Sequence, residues 1–391
     1  MTGYVRYDDR IPIPAPRLGQ LDIELTERCN NNCIHCCINL PAGDRSGLKR
    51  EMTTAQVKDI LWQAAALGCL QVRFTGGEPL LRPDFEELYL FARGLGFNLI
   101  LFTNATLVTP HLADVFAHIP PRVPIEITVY GMHAESYEAV TRVPGSFAKF
   151  QRGVALLLAR GVNFIVKSAL LPPNRDEIDE MEAWASTIPG MSHPLNHAMF
   201  FELRGRRDDP QKNELIQSLR ISPEEGLAII SRSEARYRCE NDAFTAQFMA
   251  PHGDRLFNCG ACSGRSACID AYGRAQPCLS LRAPTLSALI MTQSELDGDA
   301  SSEPEPCFTL AGALEQFKLL GQMRTDKEEY LRRCAVCFLK GFCEQCPAKS
   351  WTESGTLDSP VEYLCQVAHA QARFMGWLGE NEFGWEKPLR K

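Results

Sequence analysis

Between about residues 20 and 205 the chain alternates short runs rich in β-branched and aromatic residues with longer stretches of helical period. The runs fall at 21–25, 70–74 (LQVRF), 98–102 (NLILF), 124–130 (PIEITVY), 163–170 (NFIVKSAL) and 197–203 (HAMFFEL). Strand followed by helix, repeated, predicts an α/β fold with a parallel sheet. Thr53 and Gln56 are spaced as a capping box ahead of Val57, Ile60, Leu61 and Ala64, and Gly68 follows as a stop. Asp84 is the expected cap of FEELYLFARGLG, and Ser146 that of FAKFQRGVALLLARG, whose Phe147, Phe150, Val154 and Leu158 share one face. These helices are expected to cover the sheet and to carry no function of their own.

Residues 206–255 are weakly patterned and read as a connector with some helix around 222–236. From 256 to 365 cysteines become frequent. They are interrupted at 292–306 by TQSELDGDASSEPEP, which is acidic, has no Lys or Arg, and reads as a mobile loop. SPVEYLCQVAHAQARFMGWLG predicts a closing helix with Pro360 near its first turn. The resulting division is an N-terminal segment 1–17, a strand–helix domain 18–205, a connector 206–255, and a Cys-rich domain with its C-terminal helix at 256–391.

Composition narrows the function. With 391 residues, 45% of them hydrophobic, the chain can bury a core without covalent staples, so sixteen cysteines are a surplus that stability does not explain. No export signal precedes the first strand, so a cytoplasmic, reducing location is expected, which disfavours a disulfide framework. No apolar run is long enough to span a membrane. A formal charge of −7 disfavours non-specific nucleic-acid binding.

The cysteines form a group of three (Cys29, Cys33, Cys36), a group of nine (Cys259, Cys262, Cys268, Cys278, Cys334, Cys337, Cys343, Cys346, Cys365), and four scattered ones, Cys37, Cys69, Cys239 and Cys307, read as packing residues. For the first group a zinc site would need a fourth protein ligand, and His35, between Cys33 and Cys36, would be strained in that role. An iron–sulfur cluster held by three thiolates leaves one iron open, which implies chemistry there. The loop follows the first strand, and TGGEP (Thr75–Pro79) follows the second, at the strand ends where ligands gather in parallel sheets. Gly76 and Gly77 would let the backbone approach a ligand closely, and Glu78 would supply a carboxylate.

CNNNCIHC followed by FTGGEPLLRPDF closely resembles the radical S-adenosylmethionine (SAM) superfamily. The resemblance spans about residues 18–205 and implies a partial (β/α)6 TIM-like barrel. It implies that Cys29, Cys33 and Cys36 bind a [4Fe-4S] cluster, and that Gly76, Gly77, Glu78 and Pro79 cradle SAM. By the same resemblance, Thr128 in ITVYG and Arg142 in VTRVPGSF stand where relatives carry SAM-site residues, although Tyr130 replaces their usual acidic residue. Asn104, Lys167 and Arg204 read as hydrogen-bonding or solvated residues. RGRRDD (204–209) reads either as a grip on a substrate carboxylate or as a solvated charge run.

CGACSGRSACIDAYGRAQPC and CAVCFLKGFCEQC resemble the SPASM extension of radical SAM enzymes, with Gly273 and Cys278 matching its hairpin. The two C-x2-C pairs of the second stretch lie closer together than in zinc ribbons, which makes zinc the second choice. The SPASM resemblance implies two auxiliary iron–sulfur clusters. Cys334, Cys337, Cys343 and Cys365 would hold one. Cys278, Cys346 and two of Cys259, Cys262 and Cys268 would hold the other, leaving one cysteine spare. The last family step, C-x3-C, is C-x2-C here between Cys343 and Cys346.

The family implies reductive cleavage of SAM to a 5′-deoxyadenosyl radical, with a peptide as the expected substrate and a flavodoxin or ferredoxin as electron donor. With about twenty residues before the first strand, no leader-binding domain is expected there, and leader recognition is expected either within the barrel mouth and tail or on a separate leader-binding protein. Two other readings compete with this one: a SPASM-type dehydrogenase acting on a small molecule, and a non-enzymatic zinc or iron–sulfur interaction protein.

Overall fold

A computed structural model describes residues 18–248, 251, 253–290, 307–343 and 346–387. β1 (Gln20–Thr26) is buried on both faces, as befits a central strand. From it run β2 (Gln71–Gly76), β3 (Asn98–Thr103), β4 (Ile125–Val129), β5 (Phe164–Ala169) and β6 (Asn196–Ala198), each parallel to its predecessor. Helices fill the crossovers: α1 (Thr54–Ala66), α2 (Phe85–Gly94), α3 (Pro110–His118), α4 (Ala134–Thr141), α5 (Ser146–Ala159) and α6 (Ile178–Ser186). This is the expected six-stranded (β/α) arrangement, in sequential order.

Strand alternation sorts the side chains. Leu21, Ile23, Leu25, Val72, Phe74, Leu99 and Leu101 are fully buried in one core with Val57, Ile60, Leu61 and Ala64 of α1. The alternate positions carry charge, and each charged group has a partner. Asp22 pairs with Arg73 at 3.0 Å, Glu126 pairs with Lys167, and the Arg73 and Lys167 cations lie 4.8 and 5.3 Å from the centre of the Phe102 ring. Glu24 is gripped by both terminal nitrogens of Arg282, and the two side chains are 1% and 6% exposed.

The sheet does not stop at six strands. β7 (Ser266–Ile269) adds in parallel to the free side of β1, followed by β8 (Arg274–Gln276) antiparallel to it, β9 (Ala288–Ile290) and β10 (Cys307–Phe308). Gly273, with φ of +83°, makes the β7–β8 turn, so the expected hairpin is present. The C-terminal segment thus continues the barrel's own sheet.

Several local expectations change. The Thr53–Gln56 capping box forms, but Asp84 caps nothing, because its carboxylate is taken by Arg82 and by Thr54. Ser146 is the first residue inside α5, not its cap, and its hydroxyl bonds to that of Thr141 at 2.7 Å. The run at 197–203 is strand only at Asn196–Ala198. The segment 206–255 holds three helices, α7 (Pro210–Ser218), α8 (Pro223–Ile230) and α9 (Glu234–Phe248); α8 and the start of α9 fall where helix was expected around 222–236, whereas the apolar face of α7 is too thin to show in the sequence. Among the described residues they are followed by α10 (Leu310–Lys318), α11 (Pro347–Ser354) and the closing α12 (Glu362–Phe374). The expected loop at 292–306 and the segment 1–17 lie outside the described residues. No described helix is long and apolar enough to cross a membrane.

RGRRDD is split: Arg204 is buried and Arg206 half-buried, whereas Arg207, Asp208 and Asp209 are exposed. Arg204 holds Asp208, and Arg206 bridges Glu27 at 2.7 Å and Asp270 at 3.0 Å. Arg207 donates to the carbonyls of Trp351 and Thr352 at 3.0 and 2.8 Å. The Tyr272 hydroxyl completes the joint with a 2.6 Å bond to Glu27. These charges tie the end of β1 to the β7–β8 hairpin and to α11.

Candidate active site

The thiol loop leaves β1 and is fastened at several points. Asn32 N–H and Ile34 N–H donate to the carbonyls of Thr141 and Val140 at 2.9 and 3.0 Å, so the loop takes up acceptors that the end of α4 would otherwise leave unpaired. Arg142, in the left-handed region at φ 54°, donates to the Asn32 carbonyl at 2.9 Å and to its side-chain oxygen at 3.1 Å. From the other side the Lys212 ammonium donates to the Cys33 carbonyl at 2.8 Å.

The GGEP segment serves this loop. A Cβ on Gly76 would sit 2.1 Å from the Thr26 carbonyl oxygen, and one on Gly77 2.3 Å from that of Arg28. Gly77 N–H and Glu78 N–H bond to those same two carbonyls at 2.7 and 2.9 Å. The glycines do permit a close approach, as expected, but what approaches is the backbone leading into Cys29. Glu78 is fully buried and accepts from Leu80 N–H, Thr103 Oγ1 and Asn104 N–H at 2.8–3.0 Å. Burial pushes its carboxyl up to about 7. Its side chain therefore holds the end of β3, and Pro79 opens the short turn that follows.

Cys29 accepts from Asn31 N–H at 3.3 Å and faces the Asn104 amide at 3.8 Å. Asn104 also bonds to Asn30 at 3.0 Å, so a residue read only as a hydrogen-bonding group lies against a cluster-loop thiol. Its signal was its position at the end of β3. Tyr130, the departure from the family pattern, lies beside Cys33, and its ring is 5.5 Å from that of His35. Thr128 lies two residues earlier on β4, in register with Lys167.

Burial raises the Cys29 thiol well above the usual range and pushes Cys33 up to about 12, and the neighbouring thiols add to both shifts. Thiolates here therefore need compensating positive charge, which a metal centre and the adjacent Lys212 would provide. Both polar atoms of the buried Asn31 amide and Nδ1 of His35 have no hydrogen-bond partner, so the loop contains polar atoms that a bound group would satisfy. Among the described residues no three Cys, His, Asp or Glu side chains converge on one point, as a single metal ion would require. A cubane cluster places each thiolate on a separate iron and needs no such convergence.

None of the fifteen cysteines whose side chains are described is in a disulfide. Cys69 is buried and bonds to the Gln71 carbonyl at 3.2 Å, a packing role. Cys37 lies close to Cys36, Glu202 and the Glu24–Arg282 pair. In the C-terminal group, Cys334, Cys337, Cys343 and Cys365 line one cavity with Arg333, His369 and Trp385. Cys278 lies within electrostatic reach of Cys346 and Cys259, and Cys262 closes a short turn onto the Cys259 carbonyl. Cys268 stands apart. It is fully buried on β7, opposite Asp22 on one side and Gln276 on the other, with Glu24, Arg282 and Asp270 for neighbours.

Comparison with known proteins agrees with this geometry. The AdoMet-dependent heme synthase of Methanosarcina barkeri is 25% identical over 364 residues, covering 87% of this chain and 94% of that one. A PqqA peptide cyclase of Xanthomonas euvesicatoria is 28% identical over 241 residues, 61% of each chain. Streptococcus suis SuiB, solved bound to its precursor peptide SuiA, has the same fold, with a TM-score of 0.59 over 89% of this chain and 76% of that one at 15% identity. Residues 23–185, which contain the three-thiol loop, the glycine pair and five of the six barrel strands nearly whole, match the radical SAM superfamily, and that region is a radical SAM domain.

Proposed function

We propose that this enzyme uses SAM to modify a peptide oxidatively. The observation that carries the reading is the three-thiol loop at the end of β1, clamped between Arg142 and Lys212 and stitched to the GGEP backbone. Cys29, Cys33 and Cys36 would hold a [4Fe-4S] cluster, with SAM at its open iron. When bound, these groups supply the electron and the 5′-deoxyadenosyl radical that removes a hydrogen atom. The chain's share is positional. Gly76 and Gly77 set the height of the loop, Glu78 and Pro79 fix the strand end beneath it, and Arg142 restrains Asn32. Thr128 and Arg142 complete the proposed SAM site.

Cys334, Cys337, Cys343 and Cys365 are the proposed ligands of one auxiliary cluster, and Cys259, Cys262, Cys278 and Cys346 those of the other. Cys268 is the spare thiol, because its neighbours are charged side chains of the sheet. A peptide substrate is supported by the likeness to the PqqA peptide cyclase and to SuiB, and a flavodoxin or ferredoxin would supply electrons. A separate leader-binding protein is compatible with this reading.

Anaerobic incubation with SAM and dithionite tests it. 5′-Deoxyadenosine should form with the intact protein and vanish with C29A, and its yield should rise when a short peptide encoded beside the gene is added. The near full-length alignment with the heme synthase favours one second reading, a haem precursor as substrate. Stimulation by a decarboxylatable tetrapyrrole and by no peptide would select it.

A further inference from the structure

The cavity lined by Cys334, Cys337, Cys343 and Cys365 has walls of Leu339, Ala368, His369, Trp385 and Arg333. Arg333 is the one Lys or Arg among these lining residues. Its Nη2 lies 3.7 Å from Cys365 Sγ, and its guanidinium carbon is 4.7 Å from the centre of the Trp385 ring. Trp385 is itself wedged against His369 and Phe383, at 5.0 and 4.6 Å between ring centres. On the solvent side Glu362 holds Nη1 and Nη2 at 2.5 and 3.0 Å. Nε, on the same plane, is buried and has no partner. Glu329, 46% exposed, also accepts from Nη1 at 3.3 Å, so the guanidinium is fixed by a stacked ring beneath it and two carboxylates outside it, with one nitrogen against a ligand sulfur.

We propose that Arg333 is the charge partner of the auxiliary cluster held by these four cysteines and raises its reduction potential through the Arg333–Cys365 contact, with Glu362 acting in the opposite direction. The inference rests on the auxiliary-cluster reading above. A cluster with four thiolates is dianionic when oxidised and gains a further negative charge on reduction, and its potential follows net charge and hydrogen bonds to sulfur. In an apolar cavity a fixed cation beside one sulfur stabilises the reduced form more than the oxidised one. Glu362, 60% exposed and on the far side of the guanidinium, opposes it more weakly because water screens it.

The test is an EPR-monitored potentiometric titration of the full-length protein, reconstituted anaerobically, in a C29A/C33A/C36A background that removes the SAM-site signal. The signal lost in C337A identifies the cluster. R333M should shift its midpoint to more negative potential, E362Q to more positive, and R333K should stay near the parent, all with unchanged iron content. A midpoint in R333M that is unmoved or more positive overturns the proposal. If R333M loses iron, E362Q decides alone, and an unmoved or more negative midpoint there overturns it. If C337A removes no iron from the background protein, the four-cysteine reading fails and takes this proposal with it.

Discussion

Glu24 and Arg282 are 258 residues apart in sequence and meet inside the sheet, 1% and 6% exposed, in a two-pronged ion pair. E24Q leaves the Arg282 cation buried without its counter-charge. Breaking such a pair from one side costs about 3–5 kcal/mol, whereas replacing both members with apolar or neutral groups of similar volume is often close to neutral. For a chain of this size, at the low end of about 2 °C per kcal/mol, E24Q should lower the melting temperature by roughly 6–10 °C. E24Q/R282M should recover most of that loss. Differential scanning fluorimetry of the anaerobically reconstituted protein, with the two single variants completing the cycle, isolates the pairwise contribution. The reasoning is refuted if E24Q melts within about 1 °C of the parent, or if the double variant is as unstable as the single one.

G77A would drive a methyl group to 2.3 Å from the Arg28 carbonyl oxygen. We expect the thiol loop to shift and iron content to fall by about four atoms per chain, one cluster's worth, measurable by iron assay. C268A should keep the full iron content while C278A loses a cluster, and equal losses would refute the assignment of the spare thiol. R142A removes two hydrogen bonds from an exposed side chain, each worth about 0.5 kcal/mol at the low end of the range, together about 1 kcal/mol, so 5′-deoxyadenosine formation should slow by about fivefold and not cease. Burial lowers the pKa of His197, although Glu182 beside it opposes the shift. Below the unfolded value near 6.5 the unfolded chain therefore takes up a proton that the folded one resists, and stability should fall as pH drops from about 7 to 5. H197Q should flatten that part of a plot of melting temperature against pH.

The alternation of β-branched runs with helical periods sufficed for six parallel strands, because each strand's burial is written in its own residues. Cysteine spacing selected Cys29, Cys33 and Cys36 for the same reason: ligands within one loop are near each other whatever the rest of the chain does. What depends on distant partners was not legible. Asp84 carries a cap residue's side chain, yet Arg82 and Thr54 claim it. RGRRDD has the composition of a solvated run and its last three residues are exposed, yet Arg206 is neutralised by Glu27 and Asp270 and Arg207 donates to α11 carbonyls. The thin apolar face of α7 gave no periodic signal because Ile216 alone of its nine residues is buried.

The same division runs through the site. The sequence by itself determined that three thiols and a glycine pair sit at adjacent strand ends, since local spacing and strand order fix both. Only the tertiary structure decided that the glycines make room for the Thr26–Arg28 backbone, that Asn104 and Lys212 flank the thiols, and that Cys268 lies apart from the other C-terminal cysteines. Those outcomes depend on which strands become neighbours. β7 docking beside β1 is set by long-range burial and charge pairing that no local pattern encodes.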